Sequence, residues 1–212
     1  MSNTQHGKIA KQGTAAWNKW REENGDVIPD ISGEQLHRVD LRESDLSEVN
    51  MTETLLTKAD FGGANLQRAN LKEANLWGAN LSGANLRGAN LRGANLRNVK
   101  LNGADLQNAD LAQSELLFGD LTGANLKFVD LSGAMFVHTD LTGTDLRGAN
   151  LRDIQNWNDI KSIDQANVSG VIDSPDGFLE WAKEKGAIDD VSERKDEAQS
   201  SWKPTESINV EA

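Results

Sequence analysis

Residues 79–93 contain three near-identical pentapeptides in succession: Ala79-Asn80-Leu81-Ser82-Gly83, Ala84-Asn85-Leu86-Arg87-Gly88 and Ala89-Asn90-Leu91-Arg92-Gly93. The same period extends in both directions, with a large apolar residue at the centre of every repeat from Leu36 to Leu151. Of these 24 centres 21 are Leu, and the residue two positions earlier is small, with Ala in 13 repeats. Asn or Asp directly precedes the centre in 19 repeats. One five-residue unit therefore repeats over more than half of the 212-residue chain.

The five-residue period fits neither of the common secondary structures. An amphipathic helix needs apolar residues about every 3.6 residues, and a half-buried strand needs them every second residue. One small and one large inward residue, separated by polar positions rich in Asn, Asp and Gly, predict a short strand followed by a turn. Stacked units of this kind form a solenoid whose backbone hydrogen bonds run between coils. The sequence therefore predicts an all-β solenoid.

The repeat resembles the A-(D/N)-L-x-x signature of the pentapeptide-repeat family. This resemblance implies a right-handed quadrilateral parallel β-helix with four repeats per coil, so that residues twenty apart stack. About six coils at a spacing of ~4.8 Å give a rod roughly 29 Å long. Its narrow interior leaves no room for a ligand, and stacked asparagines such as Asn65 and Asn85 are expected to form side-chain ladders.

A solenoid has exposed ends that need covering, and the flanking segments supply candidates. We predict a helical cap over residues 1–31 and the β-helix over residues 32–153. A C-terminal cap of irregular coil and helix is predicted over residues 154–188, followed by a disordered acidic tail over residues 189–212. The whole fold is thus a β-helix with helical caps at both ends.

Both caps show recognisable helix signals. Apolar residues on one helical face predict an N-terminal helix that covers the first coil. These residues are Ile9, Gly13, Ala16, Trp17 and Trp20. At the other end Trp157, Ile160 and Ile163 are expected to pack on the last coil. The next helix is predicted to begin at Ser174 as N-cap with Pro175 in its first turn, and to stop at Gly186.

The composition excludes several classes of protein. The chain has no Cys, which rules out a disulfide scaffold, a thiolate metal site and a cysteine nucleophile. Residues 1–13 lack the apolar core of a secretory signal, and no apolar run approaches the ~20 residues of a membrane span. We therefore expect a soluble cytoplasmic protein without membrane association.

No pattern of residues indicates an active site. His37 and His138 fall on the same face but five coils apart, about 24 Å, so they cannot act together. Asp120 and Asp140 stack one coil apart on a convex surface rather than in a cleft. The glycines are turn residues and form no phosphate loop. We predict a protein that is not an enzyme and uses no cofactor and no metal.

The charge distribution bears on a second functional hypothesis. Some pentapeptide-repeat proteins are DNA mimics that bind type II topoisomerase, and such mimicry needs about one negative charge per ~1.7 Å. Residues 36–153 hold 15 acidic and 12 basic side chains, although the whole chain has a net charge of −11. Arg87, Arg92 and Arg97 also surround the middle of the rod. A DNA-mimicking regulator of DNA gyrase is therefore the alternative, and direct nucleic-acid binding is not expected.

One face of the predicted rod collects apolar side chains. We call the face centred on Leu36, Leu56, Leu76, Leu96, Leu116 and Phe136 the first face. Its outward residues predict a partner-binding surface: Leu55, Trp77, Arg97, Leu117, Phe118, Met135 and Val137. Here Arg97 is expected to contact the Trp77 ring, and on the second face Lys100 is expected to pair with Asp120.

The favoured function is a non-enzymatic protein–protein interaction or scaffold module. It would bind an unidentified protein partner or a second copy of the chain through the first face. Two alternatives stay open at this point: a terminal segment covers these residues, or they have no role.

Overall fold

The structure, a computed structural model, describes residues 4–190. Its helices are α1 (Thr4–Ala10), α2 (Thr14–Glu23) and α3 (Phe178–Glu184), with a 3-10 turn at Trp157–Asp159. Between α2 and the 3-10 turn, every fifth residue forms an isolated parallel β-bridge. Within the described part of the chain the sheet consists of these single bridged residues and contains no extended strand.

The bridges join residues that are twenty apart in sequence. The series runs from Asp30 with Asn50 to Met135 with Gln155 without a change of register. Four repeats therefore complete one turn of the coil, and each repeat supplies one side of a quadrilateral parallel β-helix. This confirms that residues twenty apart stack on the same face.

Each repeat is shaped by two local hydrogen bonds. The centre residue accepts a bond from the amide three residues later, as in Ala84 N to Leu81 O at 3.1 Å. The residue before that amide has a positive φ, 65° at Gly83, which is the geometry of a type II turn. The Asn or Asp before the centre accepts from the amide two residues later, as in Arg87 N to Asn85 Oδ1 at 3.2 Å. These bonds explain why Asn, Asp and Gly recur in the repeat.

The interior is filled by the two inward columns of side chains. The central leucines and the small residues two positions earlier are almost completely buried along the rod. Where a Thr replaces Ala, its hydroxyl bonds to a backbone carbonyl, as Thr139 does to Leu116 O at 2.7 Å. The two inward columns are thus almost completely buried, as the repeat predicts.

The N-terminal cap is two helices rather than the single helix that the apolar periodicity predicts. Gly13 has a φ of 87°, a left-handed conformation that interrupts the helix between Ala10 and Thr14. A side chain at this position would approach the carbonyl oxygen of Asp40 to 3.2 Å. The break turns the chain so that α2 crosses the end of the first coil.

Side chains of α2 take the place of a missing coil. Inside the rod, carbonyls of one coil accept bonds from amides of the coil below, as Asp60 O does from Leu41 N at 2.8 Å. In the first coil the carbonyl of Asp45 accepts instead from Trp17 Nε1 at 2.7 Å. The carbonyl of Arg42 likewise accepts from Thr14 Oγ1 at 2.8 Å. The cap therefore satisfies backbone groups as well as burying apolar surface.

The β-bridges continue past Asp153, the predicted end of the β-helix. The separation is 22 residues from Asp140 with Ser162 to Asn150 with Ile172, and a last bridge joins Asn167 to Ile188, 21 residues later. Two extra residues are accommodated by the 3-10 turn Trp157–Asp159, which lies between Gln155 and Ser162. The coil tolerates this insertion because a turn at its corner can bulge outward without shifting the inward columns.

The C-terminal helix begins later than the Ser174 and Pro175 signals predict. It starts at Phe178, because Gly177 has a φ of 79° and cannot be part of a helix. Phe178 is buried, and Trp157 packs against it with ring centroids 5.8 Å apart. Asp189 and Asp190, the first two residues of the predicted tail, are in contact with the cap and the rod: Asp189 pairs with Lys183, and Asp190 N donates to Ser169 Oγ. The rest of the predicted disordered tail lies outside the described residues.

Side-chain ladders between coils form in a restricted pattern. The predicted contact exists, with Asn85 Nδ2 donating to Asn65 Oδ1 at 3.4 Å. Shorter bonds form where an Asn stacks on the Asp of the preceding coil, as from Asn150 Nδ2 to Asp130 Oδ1 at 3.0 Å. Asp110 and Asp130 also stack directly, so two carboxylates face each other. Burial and the charge of Asp130 raise the pKa of Asp110 despite a hydrogen bond from the amide of Ala112.

We expect Asp130→Asn to stabilise the protein by about 0.5–1 kcal/mol at pH 7, because it replaces a like-charge stack with an amide donor facing Asp110. A carboxyl with a raised pKa in the folded state costs stability as the pH rises through that pKa. The gain should therefore disappear as the pH falls and Asp110 becomes protonated. Urea unfolding at pH 7 and pH 3.5 measures both effects.

Asp105→Asn, which breaks the ion pair with Arg87, is the control and should not stabilise the protein. An equal gain from Asp130→Asn at both pH values would contradict the explanation.

Candidate functional site

The structure places the predicted partner-binding residues on one face. Consecutive turns of the first face are joined by hydrogen bonds from Gly78 N to Arg97 O and from Asn98 N to Leu117 O, both 2.8 Å. The column of outward residues made in this way is Trp77, Arg97, Leu117 and Val137. Leu55 and Met135 lie in the adjacent column of bridged residues, and both are half-buried. Phe118 follows Leu117 at the edge of the face.

This apolar surface is divided in two by an ion pair. Arg97 Nε lies 2.8 Å from Oε2 of Glu115, and both side chains are substantially exposed. Arg97 therefore does not provide the cation that was expected above Trp77. Lys58 does so instead, with Nζ 4.8 Å from the centre of the Trp77 ring. On the N-terminal side of this ion pair, Trp77 and Lys58 form a lower cluster. On its C-terminal side the upper cluster consists of Leu117, Phe118, Met135 and Val137.

Phe118 is the most unusual residue of the upper cluster. Its side chain is 54% exposed, and its backbone φ is 58°. This turn position is Gly in 10 of the 24 repeats, and only Phe118 and Phe128 are apolar there. A side chain in the left-handed conformation costs about 1–2 kcal/mol. All 14 non-Gly side chains at this position share the positive φ, so the feature that distinguishes Phe118 is its exposed apolar ring, which is more typical of a binding site than of a stabilising contact.

His138 completes this cluster. Its φ is 53°, and its ring stacks on Phe118 with centroids 5.3 Å apart. We call Leu117, Phe118, Val137 and His138 the aromatic corner. Phe128 on the third face differs, because its ring covers Gly148: a Cβ there would lie 2.5 Å from the ring. Phe128 is also less exposed than Phe118.

A shallow depression of about 450 Å³ separates the aromatic corner from the second face. Phe118 and His138 form one side of it. The other side carries polar groups, and they are Asp120, Thr122, Asp140 and Lys161. The depression thus places an aromatic ring beside two carboxylates and one ammonium group.

The two carboxylates of the depression are held by threonines. Oδ1 of Asp140 accepts from the amide and hydroxyl of Thr142, and Oδ2 accepts from Lys161 Nζ at 2.9 Å. Partial burial works to raise the pKa of Asp140, but these hydrogen bonds outweigh it and leave the pKa below its usual value. The hydrogen bond to Asp140 raises the pKa of Lys161 in turn. This pair is therefore charged near neutral pH.

The other polar residues singled out in the sequence are dispersed. His6 lies in the N-terminal cap, where its Nδ1 accepts from the amide of Asp30 at 3.2 Å, and His37 lies at the opposite end of the rod from His138. Among residues 4–190 no ion pair joins Lys100 to Asp120, contrary to the expected salt bridge. The described part of the chain also contains no group of three or more acidic or histidine side chains arranged to hold a metal ion.

Sequence reasoning missed three residues of these clusters: Lys58, His138 and Lys161. A signal existed for His138, because it lies twenty residues after Phe118 and must stack on it. Lys58 follows a similar rule, since its amide bonds to the carbonyl of Trp77. No such rule locates Lys161, because the insertion after Gln155 changes the register.

The family of the chain follows from a comparison of its repeats with known families. A family profile described as "Pentapeptide repeats (8 copies)" matches residues 35–72, 64–103, 89–127 and 120–153. The chain belongs to the pentapeptide-repeat family. Its fold is accordingly the right-handed quadrilateral β-helix of that family, in agreement with the register of twenty residues.

Solved structures that match this chain include other pentapeptide-repeat proteins. One from the thylakoid lumen of Arabidopsis thaliana is 33% identical, with a TM-score of 0.41, and the match covers 47% of this chain and 66% of that protein. HetL of Nostoc sp. strain PCC 7120, involved in heterocyst differentiation regulation, is 28% identical over 71% of this chain and 76% of its own, with a TM-score of 0.24. QnrB1, a plasmid-mediated fluoroquinolone resistance protein, is 19% identical over 76% and 86%, with a TM-score of 0.36. This pentapeptide-repeat chain thus spans just under two thirds of the Arabidopsis protein.

No curated protein sequence matches this pentapeptide-repeat chain significantly. Within residues 4–190 none of the helices has the length and apolar character needed to cross a membrane.

Proposed function

We propose that this pentapeptide-repeat protein is a non-enzymatic interaction module that binds a protein partner through the aromatic corner. The supporting observation is Phe118, a large apolar side chain held more than half exposed at a strained backbone position. Exposed aromatic groups with apolar neighbours often supply most of the binding energy of an interface. Leu117 and Val137 provide those neighbours, and His138 orients the ring.

The remaining predicted contacts extend this surface. Arg97 is part of the ion pair with Glu115, and Leu55 and Trp77 lie in the coils before it. Met135 lies beside the aromatic corner. They remain a prediction for a larger footprint, as do self-association and a cytoplasmic location. The proposal assigns no catalytic role, since Asp120 and Asp140 are each held by a threonine on an open surface.

The test is affinity capture from a lysate of the organism that makes the protein. The full chain is compared with Phe118→Gly and with the matched variant Phe128→Gly, which removes the same side chain from the same turn position on another face. We expect a protein that is retained by the full chain and by Phe128→Gly and is lost with Phe118→Gly. The proposal would be contradicted if both variants captured the same proteins. It would also be contradicted if the full chain enriched no protein.

The pairing of surface charges favours this function over DNA mimicry. Many carboxylates on the described part of the rod form ion pairs with cations of the same or a neighbouring coil, which reduces the acidic character of its surface. Such pairs are Arg42 with Asp40, Arg87 with Asp105, Arg97 with Glu115, and Lys127 with Asp145. A DNA mimic would inhibit supercoiling by DNA gyrase, and we expect no inhibition from the purified chain.

A further inference from the structure

Asp120 and Asp140 occupy the same position of the repeat one coil apart, but the hydrogen bonds to their second carboxylate oxygen, Oδ2, differ. Oδ1 of Asp120 accepts from the amide and hydroxyl of Thr122 at 3.0 and 2.6 Å, as Oδ1 of Asp140 does from Thr142. Oδ2 of Asp140 binds the ammonium group of Lys161. Within residues 4–190 no hydrogen bond or ion pair reaches Oδ2 of Asp120. Lys161 attracts Asp120 at longer range but forms its hydrogen bond and ion pair with Asp140, so Oδ2 of Asp120 can still accept a hydrogen bond from a further cation.

The unpaired carboxylate lies beside an exposed aromatic ring. Asp120 and Phe118 line the same depression, and the Phe118 side chain is 54% exposed. A cation over an aromatic face is attracted by the ring quadrupole. The same rod makes such a contact elsewhere, with Lys58 above Trp77 at 4.8 Å. The depression thus offers a cation the Phe118 ring and the Asp120 carboxylate, while the positive charge of Lys161 in the same depression is neutralised by its ion pair with Asp140.

An arginine side chain suits both groups. The planar guanidinium stacks on aromatic rings and donates several hydrogen bonds in its plane, whereas an ammonium group is compact and more strongly hydrated. An apolar residue next to such an arginine would contact Leu117 and Val137. Both are neighbours of Phe118: Leu117 precedes it in the chain, and the carbonyl of Val137 accepts a hydrogen bond from its amide. The acidic balance of residues 36–153 adds a weak general attraction for a cation.

We propose that the depression between Phe118 and Asp120 binds an arginine side chain of the protein partner. The guanidinium stacks on Phe118 and donates to Oδ2 of Asp120. This inference rests on the proposed function, since it names the chemistry by which the aromatic corner recognises its partner.

The experiment is a titration of the ¹⁵N-labelled full chain followed by amide chemical shifts. The probe is acetyl-Leu-Arg-Leu-amide, and the control probe contains citrulline, which keeps the shape of arginine but has no charge. We expect shifts confined to residues 117–122 and 137–142. We also expect the arginine peptide to bind about three- to tenfold more tightly than the citrulline peptide.

Two charge variants locate the site. Asp120→Asn should remove the preference for arginine over citrulline, because it deletes the charge and keeps the bond from the amide of Thr122. Asn is common at this position of the repeat, so the variant should fold. Asp130→Asn removes an equal charge from another face and should leave the preference unchanged.

Several results would overturn the inference. They are the absence of localised shifts, equal affinity for both peptides, or an unchanged preference in Asp120→Asn. The proposed function fails separately, when Phe118→Gly and Phe128→Gly capture the same proteins. A partner that is lost with Phe118→Gly but retained by Asp120→Asn, without any preference for arginine, would leave the interaction module in place and reject the arginine site.

Discussion

Replacing Trp17 by Ala is expected to destabilise the protein by about 3–5 kcal/mol, the usual cost of deleting a buried aromatic side chain. Trp17 is fully buried between α2 and the first coil. Its Nε1 also donates to the carbonyl of Asp45 at 2.7 Å. The substitution therefore removes apolar contacts and leaves a backbone carbonyl at the end of the rod without its donor. Urea unfolding followed by circular dichroism measures the loss.

The same substitution should change how the molecules associate. An uncovered coil end presents unpaired backbone groups, which promote pairing between chains. We expect light scattering to show association of Trp17→Ala at concentrations at which the unaltered chain does not associate. Trp17→Phe is the control: it keeps most of the volume, loses the bond to Asp45, and should cost only about 1–2 kcal/mol. A loss below 1 kcal/mol in Trp17→Ala would show that α2 does not stabilise the rod.

Leu91→Ala in the middle of the rod is expected to cost about 3–5 kcal/mol, from lost burial and from the cavity that remains. Leu91 is fully buried, and its amide bonds to the carbonyl of Asp110 at 2.7 Å. Because hydrogen bonds to the neighbouring coil hold the backbone at a set spacing, the coil cannot collapse into the cavity. The cost should therefore fall at the upper end of the usual range for Leu→Ala.

Leu117→Ala is the matched control, because Leu117 points outward and is half-buried. It deletes the same atoms and should cost about 1 kcal/mol or less. Urea unfolding of both variants at pH 7 gives the comparison. Similar losses in the two variants would mean that the inward and outward leucines are not distinguished as the repeat predicts.

Much of the fold could be predicted because the repeat is short and each of its constraints is local. Asn85, Leu86 and Gly88 define a bridge, an inward side chain and a turn within a few residues. The twenty-residue spacing then places Leu117 and Val137 together on the first face. The repeat could not determine which side chains contact each other across coils.

The candidate site shows why the contacts between coils could be determined only from the structure. Arg97 can reach Trp77 or Glu115, and both contacts agree with the spacing of the repeat. The structure has Arg97 paired with Glu115 and Lys58 above Trp77. The choice depends on side-chain rotamers and on competing partners in neighbouring coils, which no local pattern encodes.

The ends of the rod illustrate the same limit. The apolar positions around Trp17 predicted a helix, but the break at Gly13 follows from how closely the cap approaches the first coil. Likewise, the register shift after Gln155 hid the continuation of the parallel bridges to Ile188.

The sequence by itself determined the solenoid, its inward columns and the face on which each outward residue lies, because each five-residue unit carries its own turn and core residues. Only the tertiary structure decided which charges pair across coils. It placed Lys161 on Asp140, left Oδ2 of Asp120 without a hydrogen bond or an ion pair among residues 4–190, and exposed Phe118 beside it. These features arise where residues 18 to 22 apart compete for the same contacts, and that competition depends on three-dimensional distances rather than on the repeat.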